Sequence, residues 1–322
     1  MQAEPAGARY RHAPRPRSSS VSMESSGHLD ARALLYVSVA ILTWSSAYAT
    51  ISFSLSAFTP GEIALARLTL ALPCFLAWTR LRGLTLPPWR AWPPLLVLGA
   101  LGLGVYHLAL NQAETGIASG TAAIILALSP AVTSAGSSLW LREHLPARAI
   151  AGLSLALSGV VLVVLTSGQS LHFEPKAGLV LISVLCTSLY FVGLKSPSGR
   201  FGAEAVTTVT FLGGVLAALP FGLGLPQALA AAPASRIAGL LWLGLAPTFI
   251  GYLTWNMAIH RASVSKVSSF IYFSTPIALL ISWLWLGERP GPLTLAGAAI
   301  VIAGVVLTNT RPAALKPKGP RR

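Results

Sequence analysis

Residues 139–145 read LWLREHL, followed at 152–162 by GLSLALSGVVL; residues 284–290 read LWLGERP, followed at 297–307 by GAAIVIAGVVL. A single offset aligns these stretches and reaches beyond them. Asn111 pairs with Asn256, Glu143 with Glu288, Gly152 with Gly297 and Gly159 with Gly304, each pair 145 residues apart. Pro130 and Pro276 pair at 146, one residue out of step, and Ser45-Ser46-Ala47-Tyr48 echoes Thr187-Ser188-Leu189-Tyr190 more loosely at 142. Apolar helices of Leu, Ala, Gly and Val resemble one another by chance, but two of the four spaced pairs are polar. The chain reads as an internal duplication.

Each copy is built for lipid. The 322 residues are 54% hydrophobic and 10% charged, where soluble domains carry about 25% charged residues; mean hydropathy is +0.68. A helix needs roughly 20 apolar residues to cross a ~30 Å hydrocarbon core. Such runs occur at 33–53, 61–79, 93–112, 118–141, 147–167, 177–195, 205–225, 237–258, 264–286 and 291–310. The breaks are short: Thr59-Pro60-Gly61, Leu86-Pro87-Pro88, Arg142-Glu143, Ser196-Pro197-Ser198-Gly199 and Gly287-Glu288-Arg289-Pro290-Gly291. The run at 205–225 is the least regular, interrupted by Gly213, Gly214, Pro220, Gly222 and Gly224. Backbone polar groups in lipid must be satisfied within the segment, so an open sheet is excluded and helices are expected. The expected fold is all-α and integral to the membrane, with ten transmembrane helices as two inverted five-helix repeats.

Charge supplies the orientation. With both termini cytoplasmic, nineteen of the 23 Lys and Arg fall in the tails and inward connections; three (Lys176, Arg236, Arg289) fall outward. Loops rich in Lys and Arg stay on the cytoplasmic side. Positive charge flanking an apolar middle is not the basic face of a nucleic-acid binder; the partners expected are a lipid bilayer and a small-molecule substrate, and no nucleic acid. Five spans per repeat is odd, so the second copy enters the bilayer upside down, the architecture of many secondary transporters. The expected organisation is a basic, disordered cytoplasmic tail over 1–32, repeats over 33–167 and 168–310, and a second basic tail over 311–322. Met23 offers a second start. The Arg- and Ser-rich first tail shares its composition with transit peptides, although a cytoplasmic tail accounts for the same residues. Cys74 and Cys186 lie in apolar runs and are expected as buried thiols.

The motifs carry a family resemblance. Trp44-Ser45-Ser46, Arg67, Asn111, Ala118-Ser119-Gly120, Pro130, Leu141-Arg142-Glu143, Gly152 and Gly159-Val160-Val161 form the first set. Asn256-Met257-Ala258, Pro276, Leu286-Gly287-Glu288, Gly297 and Gly304-Val305 form the second. Over about 33–310 the chain resembles the EamA-type transporters of the drug/metabolite transporter superfamily. The resemblance implies ten helices, a central cavity between repeats, and export of metabolites (often amino acids) or toxic compounds. It carries no substrate signature. Ser45 departs from the Gly that relatives often have after the Trp, which bears on helix packing there.

Polar residues within apolar runs are the site candidates. A charge at mid-membrane costs roughly 2.5–3.5 kcal/mol on insertion scales. Arg67 lies about 10 Å inward of Pro60 at 1.5 Å per residue. It either meets an anionic group in the cavity, or snorkels outward or pins a neighbouring helix. Asn111 and Asn256, two of only three Asn, either bond helices together or line the cavity. His107 carries a proton or is a neutral hydrogen-bonded residue. Trp44, Tyr48, Tyr190, Tyr252, Trp255 and Tyr272 lie away from most helix ends and would suit an aromatic cavity or plain packing. Glu143 and Glu288 sit at helix ends, where a carboxylate either favours the positive terminus of the helix that follows or carries a proton. Gly99, Gly102 and Gly104 read as close helix approach, since no strand precedes them and no Lys-Ser/Thr follows. No P-loop, metal-ligand spacing or nucleophile–base set is evident, so no catalytic residue, cofactor or metal is expected, and the proton gradient or downhill exchange is left to power transport. The single Asp, Asp30, argues against a membrane enzyme. Either a monomer or a homodimer is compatible with this reading.

Overall fold

The computed structural model describes residues 30–141, 147–166, 174–261 and 269–309; Glu143, residues 1–29 of the first tail and the whole of the second lie outside them, while residues 31 and 32, expected in the tail, already belong to the first helix. Among the described residues the chain is helical, without a strand. In chain order the helices are α1 (Ala31–Ser54), α2 (Pro60–Leu81), α3 (Trp89–Ala113), α4 (Ser119–Leu126), α5 (Ser129–Leu141), α6 (Ala147–Thr166), α7 (Pro175–Phe201), α8 (Ala203–Phe221), α9 (Leu225–Ala231), α10 (Ala234–Ala258), α11 (Ser274–Leu286) and α12 (Pro292–Asn309). Six of them, α1, α2, α3, α7, α8 and α10, are long and apolar enough to cross a membrane. Four further apolar stretches, Ser119–Thr133, Ile150–Val163, Ser274–Leu286 and Pro292–Leu307, are shorter, 10–17 residues.

Local chemistry explains the breaks. The run expected over 118–141 parts after Leu126. Pro130 lacks an N–H, and its ring clashes with the carbonyl four residues back, which is that of Leu126. Pro276 sits in the first turn of α11, where the missing N–H costs nothing. At the start of α2, Thr59 Oγ1 accepts from the Glu62 N–H at 3.3 Å and Glu62 Oε2 accepts from the Thr59 N–H at 2.8 Å, with Pro60 next in line. This capping box occupies Glu62 locally. Asp30 caps α1 through the Ala33 N–H at 2.7 Å and pairs with Arg261 at 3.0 Å, tying the start of α1 to the end of α10.

Three helices carry a widened, π-type turn among the described residues: Ala100–Val105 in α3 and Gly244–Ile250 in α10, which correspond between the halves, and Ser282–Leu286 in α11. In α3 the glycines admit neighbours: a Cβ on Gly99 would strike the Thr210 carbonyl, and one on Gly102 the Tyr190 side chain. In α10 the turn contains Pro247. Such bulges recur at functional sites.

The repeated glycines meet each other. A Cβ on Gly159 of α6 would lie 2.8 Å from the Gly297 carbonyl oxygen, and one on Gly304 of α12 would lie 2.6 Å from that of Gly152. The pairs cross, Gly159 with Gly297 and Gly152 with Gly304, so α6 and α12 run antiparallel with backbones in contact. Small residues permit this approach where lipid offers no hydrophobic drive between helices. Inside the bundle, one apolar cluster joins Ile51, Ile63, Ile124, Ile125, Val180 and Val184, and another joins Leu68, Phe75, Leu103, Tyr190 and Phe211. Cys74 and Cys186 are free and half-buried, less enclosed than expected.

Candidate functional site

The candidates do not form one cavity. Trp44 on α1 packs against Tyr252 (centroids 5.5 Å apart) and Trp255 (5.1 Å) of α10. Its Nε1–H donates to the Pro247 carbonyl at 2.9 Å, using an acceptor within the widened turn. Tyr252 also meets Phe211 edge-on at 5.4 Å. Tyr190 lies elsewhere, its hydroxyl 3.0 Å from Thr210 Oγ1 and its ring under Gly102, a packing role. Trp255 is buried beside Val37, Ile41 and Ala258. The Tyr272 side chain lies outside the described residues. Ser45 is fully buried; its hydroxyl donates to the Ile41 carbonyl and reaches Ser274 Oγ at 3.1 Å, so the larger residue joins α1 to α11 by a hydrogen bond.

Arg67 is 3% exposed. Its Nε–H donates to Thr248 Oγ1 at 3.0 Å, and Thr248 in turn donates to the Leu243 carbonyl. That is the guanidinium's one hydrogen bond among the described residues. Tyr48, Tyr106, Tyr252 and Glu114 all stand within electrostatic reach of it. Thr248, which the sequence did not single out, anchors an arginine of the first half to the widened turn of the second.

On α3, His107, Asn111 and Glu114 follow at four- and three-residue steps and share one face. All three are buried. Asn111 Nδ2 donates to the Pro60 carbonyl at 3.0 Å, a bond between helices, while its Oδ1, both His107 ring nitrogens and both Glu114 oxygens find no partner in hydrogen-bonding geometry among the described residues. Buried polar atoms are nearly always hydrogen-bonded, so this face stands out. Asn256 differs from its repeat mate: it is half-buried and makes no hydrogen bond to the described residues. Glu114 lies just past the end of α3; burial first and the nearby Glu288 carboxylate second push its pKa well above the ordinary carboxylate range, with Arg67 and the Ser52 backbone pulling the other way.

Glu288 serves a helix, but not the one that follows it. Its carboxylate accepts from the Ser119 hydroxyl at 2.8 Å and from the Ser119 and Gly120 N–H groups at 3.2 Å each, while Ser119 Oγ also lies 2.8 Å from Ser282 Oγ. The carboxylate therefore caps α4, 169 residues earlier in the chain. Around it lies a cavity of about 290 Å³ lined by Thr121, Thr166, Ser282, Arg289 and Thr294 among others. A second, of about 530 Å³, is lined by residues 55–60, Glu62, Thr115 and Ala228. Neither is lined by Trp44, Tyr48, Arg67, Asn111 or Tyr252. Among the described residues no three His, Cys, Asp or Glu cluster as a metal site would require.

Sequence reasoning missed Glu114 and Thr248, and gave no role to Tyr106 or, beyond its motif, to Ser119. The i, i+4, i+7 spacing of His107, Asn111 and Glu114 was the available signal.

The profile of the EamA-like transporter family matches this chain twice, over residues 31–165 and 175–310. A "Probable terminal-alkyne amino-acid exporter" of Streptantibioticus cattleyicolor is 30% identical over 271 residues, 84% of this chain and 91% of that one. The "Uncharacterized transporter YdfC" of Bacillus subtilis is also 30% identical, over 84% and 89%. A "Probable amino-acid metabolite efflux pump" of Salmonella typhimurium is 22% identical over 67% and 76%. A solved crystal structure superposes with a TM-score of 0.60 at 22% identity, covering 86% of this chain and 96% of its own, a likeness of fold.

Proposed function

The chain belongs to the EamA-like transporter family, and from that premise we propose that it exports a small zwitterionic, amino-acid-like metabolite from the cytoplasm by alternating access. It is a membrane transporter rather than an enzyme by family and by relatives. In our reading its ten spans form two inverted five-helix repeats over 33–167 and 168–310, with both termini cytoplasmic in the inner membrane. The double family match, the crossed glycine pairs of α6 and α12 and the paired widened turns of α3 and α10 support the repeat. The names of the amino-acid exporters among the relatives support the substrate class and the direction.

One observation carries the substrate reading: Arg67 is a buried cation with a single hydrogen bond among the described residues, held across the halves by Thr248 and ringed by Tyr48, Tyr106 and Tyr252. A guanidinium binds a carboxylate through two parallel N–H donors. In this reading Asn111 Oδ1, without a partner among the described residues, takes the ammonium end of the same molecule. Parting the halves would open the packed Trp44–Tyr252 cluster to the substrate.

The test is reconstitution into vesicles and uptake of radiolabelled L-amino acids, with and without a pH gradient. Arg67→Ala is expected to remove at least 90% of the flux, with Arg67→Lys intermediate, since an ammonium keeps the charge and loses the fork. Undiminished flux in Arg67→Ala would refute the assignment.

A further inference from the structure

Just past the buried face of α3 lies a carboxyl group without a side-chain partner. Glu114 is 6% exposed, the Ser52 backbone stands beside it, and among the described residues neither oxygen meets a donor in hydrogen-bonding geometry. An ionised carboxylate in such a place is very costly, and two neighbouring carboxylates do not both ionise. Glu288 is that neighbour, and its oxygens already accept from the Ser119 hydroxyl and the Ser119 and Gly120 N–H groups. Glu114 has no such set of donors among the described residues, so burial and the facing carboxylate both favour its protonated form.

The groups that face Glu114 are Tyr48 and the Ser52 backbone from α1, Arg67 from α2, Tyr106 from α3 and Glu288 from the loop before α12. From α7 comes Lys176, whose Nζ donates to the Thr115 carbonyl at 3.3 Å at the exposed edge, with Glu174 capping that helix. The Lys176 ammonium is spent on a backbone carbonyl, and no ion pair to Glu114 forms. Further along the same face, Asn111 Oδ1 and the His107 nitrogens offer more unbonded polar atoms.

We propose that Glu114 is a proton-binding site whose access from the outer solution is opened and closed by the contact of Glu288 with Ser119 and Gly120. With that contact made, the proton is sealed on the Glu114 carboxyl. When the contact parts, the O–H bond exchanges with outer water. Inward, the proton leaves to cytoplasmic water past Asn111 and His107; no other species is consumed. Its use in driving export rests on the transport reading, whereas proton binding and the latch do not.

Infrared difference spectroscopy on the full-length protein in lipid decides both. Wild type minus Glu114→Gln at neutral pH should show a protonated carboxylic-acid band, lost in the variant and restored at a shifted position by Glu114→Asp. Absence of that band overturns the proposal. On transfer to D2O the band should shift at least tenfold faster in Glu288→Gln than in wild type; equal rates overturn the latch. In vesicles, Glu114→Gln should retain amino-acid exchange and lose its stimulation by a pH gradient, and retained stimulation overturns the coupling. Wild-type vesicles that move none of the amino acids sink the transport reading, while the infrared band still decides Glu114.

Discussion

Substituting Gly159 by Ala should loosen the contact between α6 and α12 in a way that a second substitution reveals. The added Cβ would lie 2.7 Å from the Val301 nitrogen and 2.8 Å from the Gly297 oxygen. Both are backbone atoms, so no rotamer change relieves the clash. Reaching the ~3.4 Å of ordinary contact requires about 0.7 Å of helix separation, and overpacking of this kind costs about 1–3 kcal/mol. Gly304→Ala, facing the Gly152 oxygen at 2.6 Å, should cost a similar amount, because it is the same contact at the other end of the crossing. Once one Cβ has parted the helices, the second finds room already made. The double variant should therefore be more stable than the sum of the single effects implies, by about 0.5 kcal/mol or more. Thermal unfolding of the purified protein in detergent, read by intrinsic Trp fluorescence, gives the three values. Gly199→Ala, which meets nothing within 4 Å, serves as the control and should leave the midpoint unchanged. Single variants indistinguishable from wild type, or strict additivity in the double variant, would refute the crossed-glycine geometry.

Other consequences follow from the polar contacts. Glu288→Gln should raise the labelling rate of a Thr121→Cys reporter, in a chain lacking Cys74 and Cys186, by about tenfold or more, since charge-assisted hydrogen bonds contribute about 1.5–3 kcal/mol; an impermeant maleimide applied from outside measures it, and an unchanged rate contradicts a gate. Asn111→Leu should lower both flux and melting temperature, because it breaks the bond to the Pro60 carbonyl. Asn256→Leu, half-buried and unbonded, should lower flux alone; wild-type flux in both would remove the two amides from the transport path. For Glu114, raised well above the ordinary carboxylate value, the folded state binds the proton more tightly than the unfolded chain. The stabilisation is complete below the unfolded pKa and is lost as pH rises towards the folded one, by at most about 1.4 kcal/mol per pH unit. Melting curves against pH should accordingly fall more steeply for wild type than for Glu114→Gln, and parallel curves would exclude a proton held there.

Much of the architecture was legible in the amino acids. Apolar runs of about 20 residues, bounded by Pro, Gly and charge, locate helices because the cost of an unbonded backbone in lipid is local and is summed over one segment. The paired Gly152/Gly297 and Gly159/Gly304 were visible as a repeat, and the glycines at 99, 102 and 104 as close approach. Even the physics assigned to Glu288, a carboxylate at a helix N-terminus, was sound in kind.

Which helix it caps was not legible. The terminus that follows Glu288 in the chain is that of α12, whereas the one it bonds is α4, and nothing within 168 residues announces the partner. The same holds for Arg67 with Thr248, 181 residues apart, and Trp44 with the Pro247 carbonyl, 203 apart. Hydropathy and periodicity report where a residue sits along its own helix; they carry no information on which face of which other helix arrives opposite. Tertiary packing alone decided that Tyr190 is spent on Thr210, that Asn111 holds α2, and that Glu114 is buried beside Glu288.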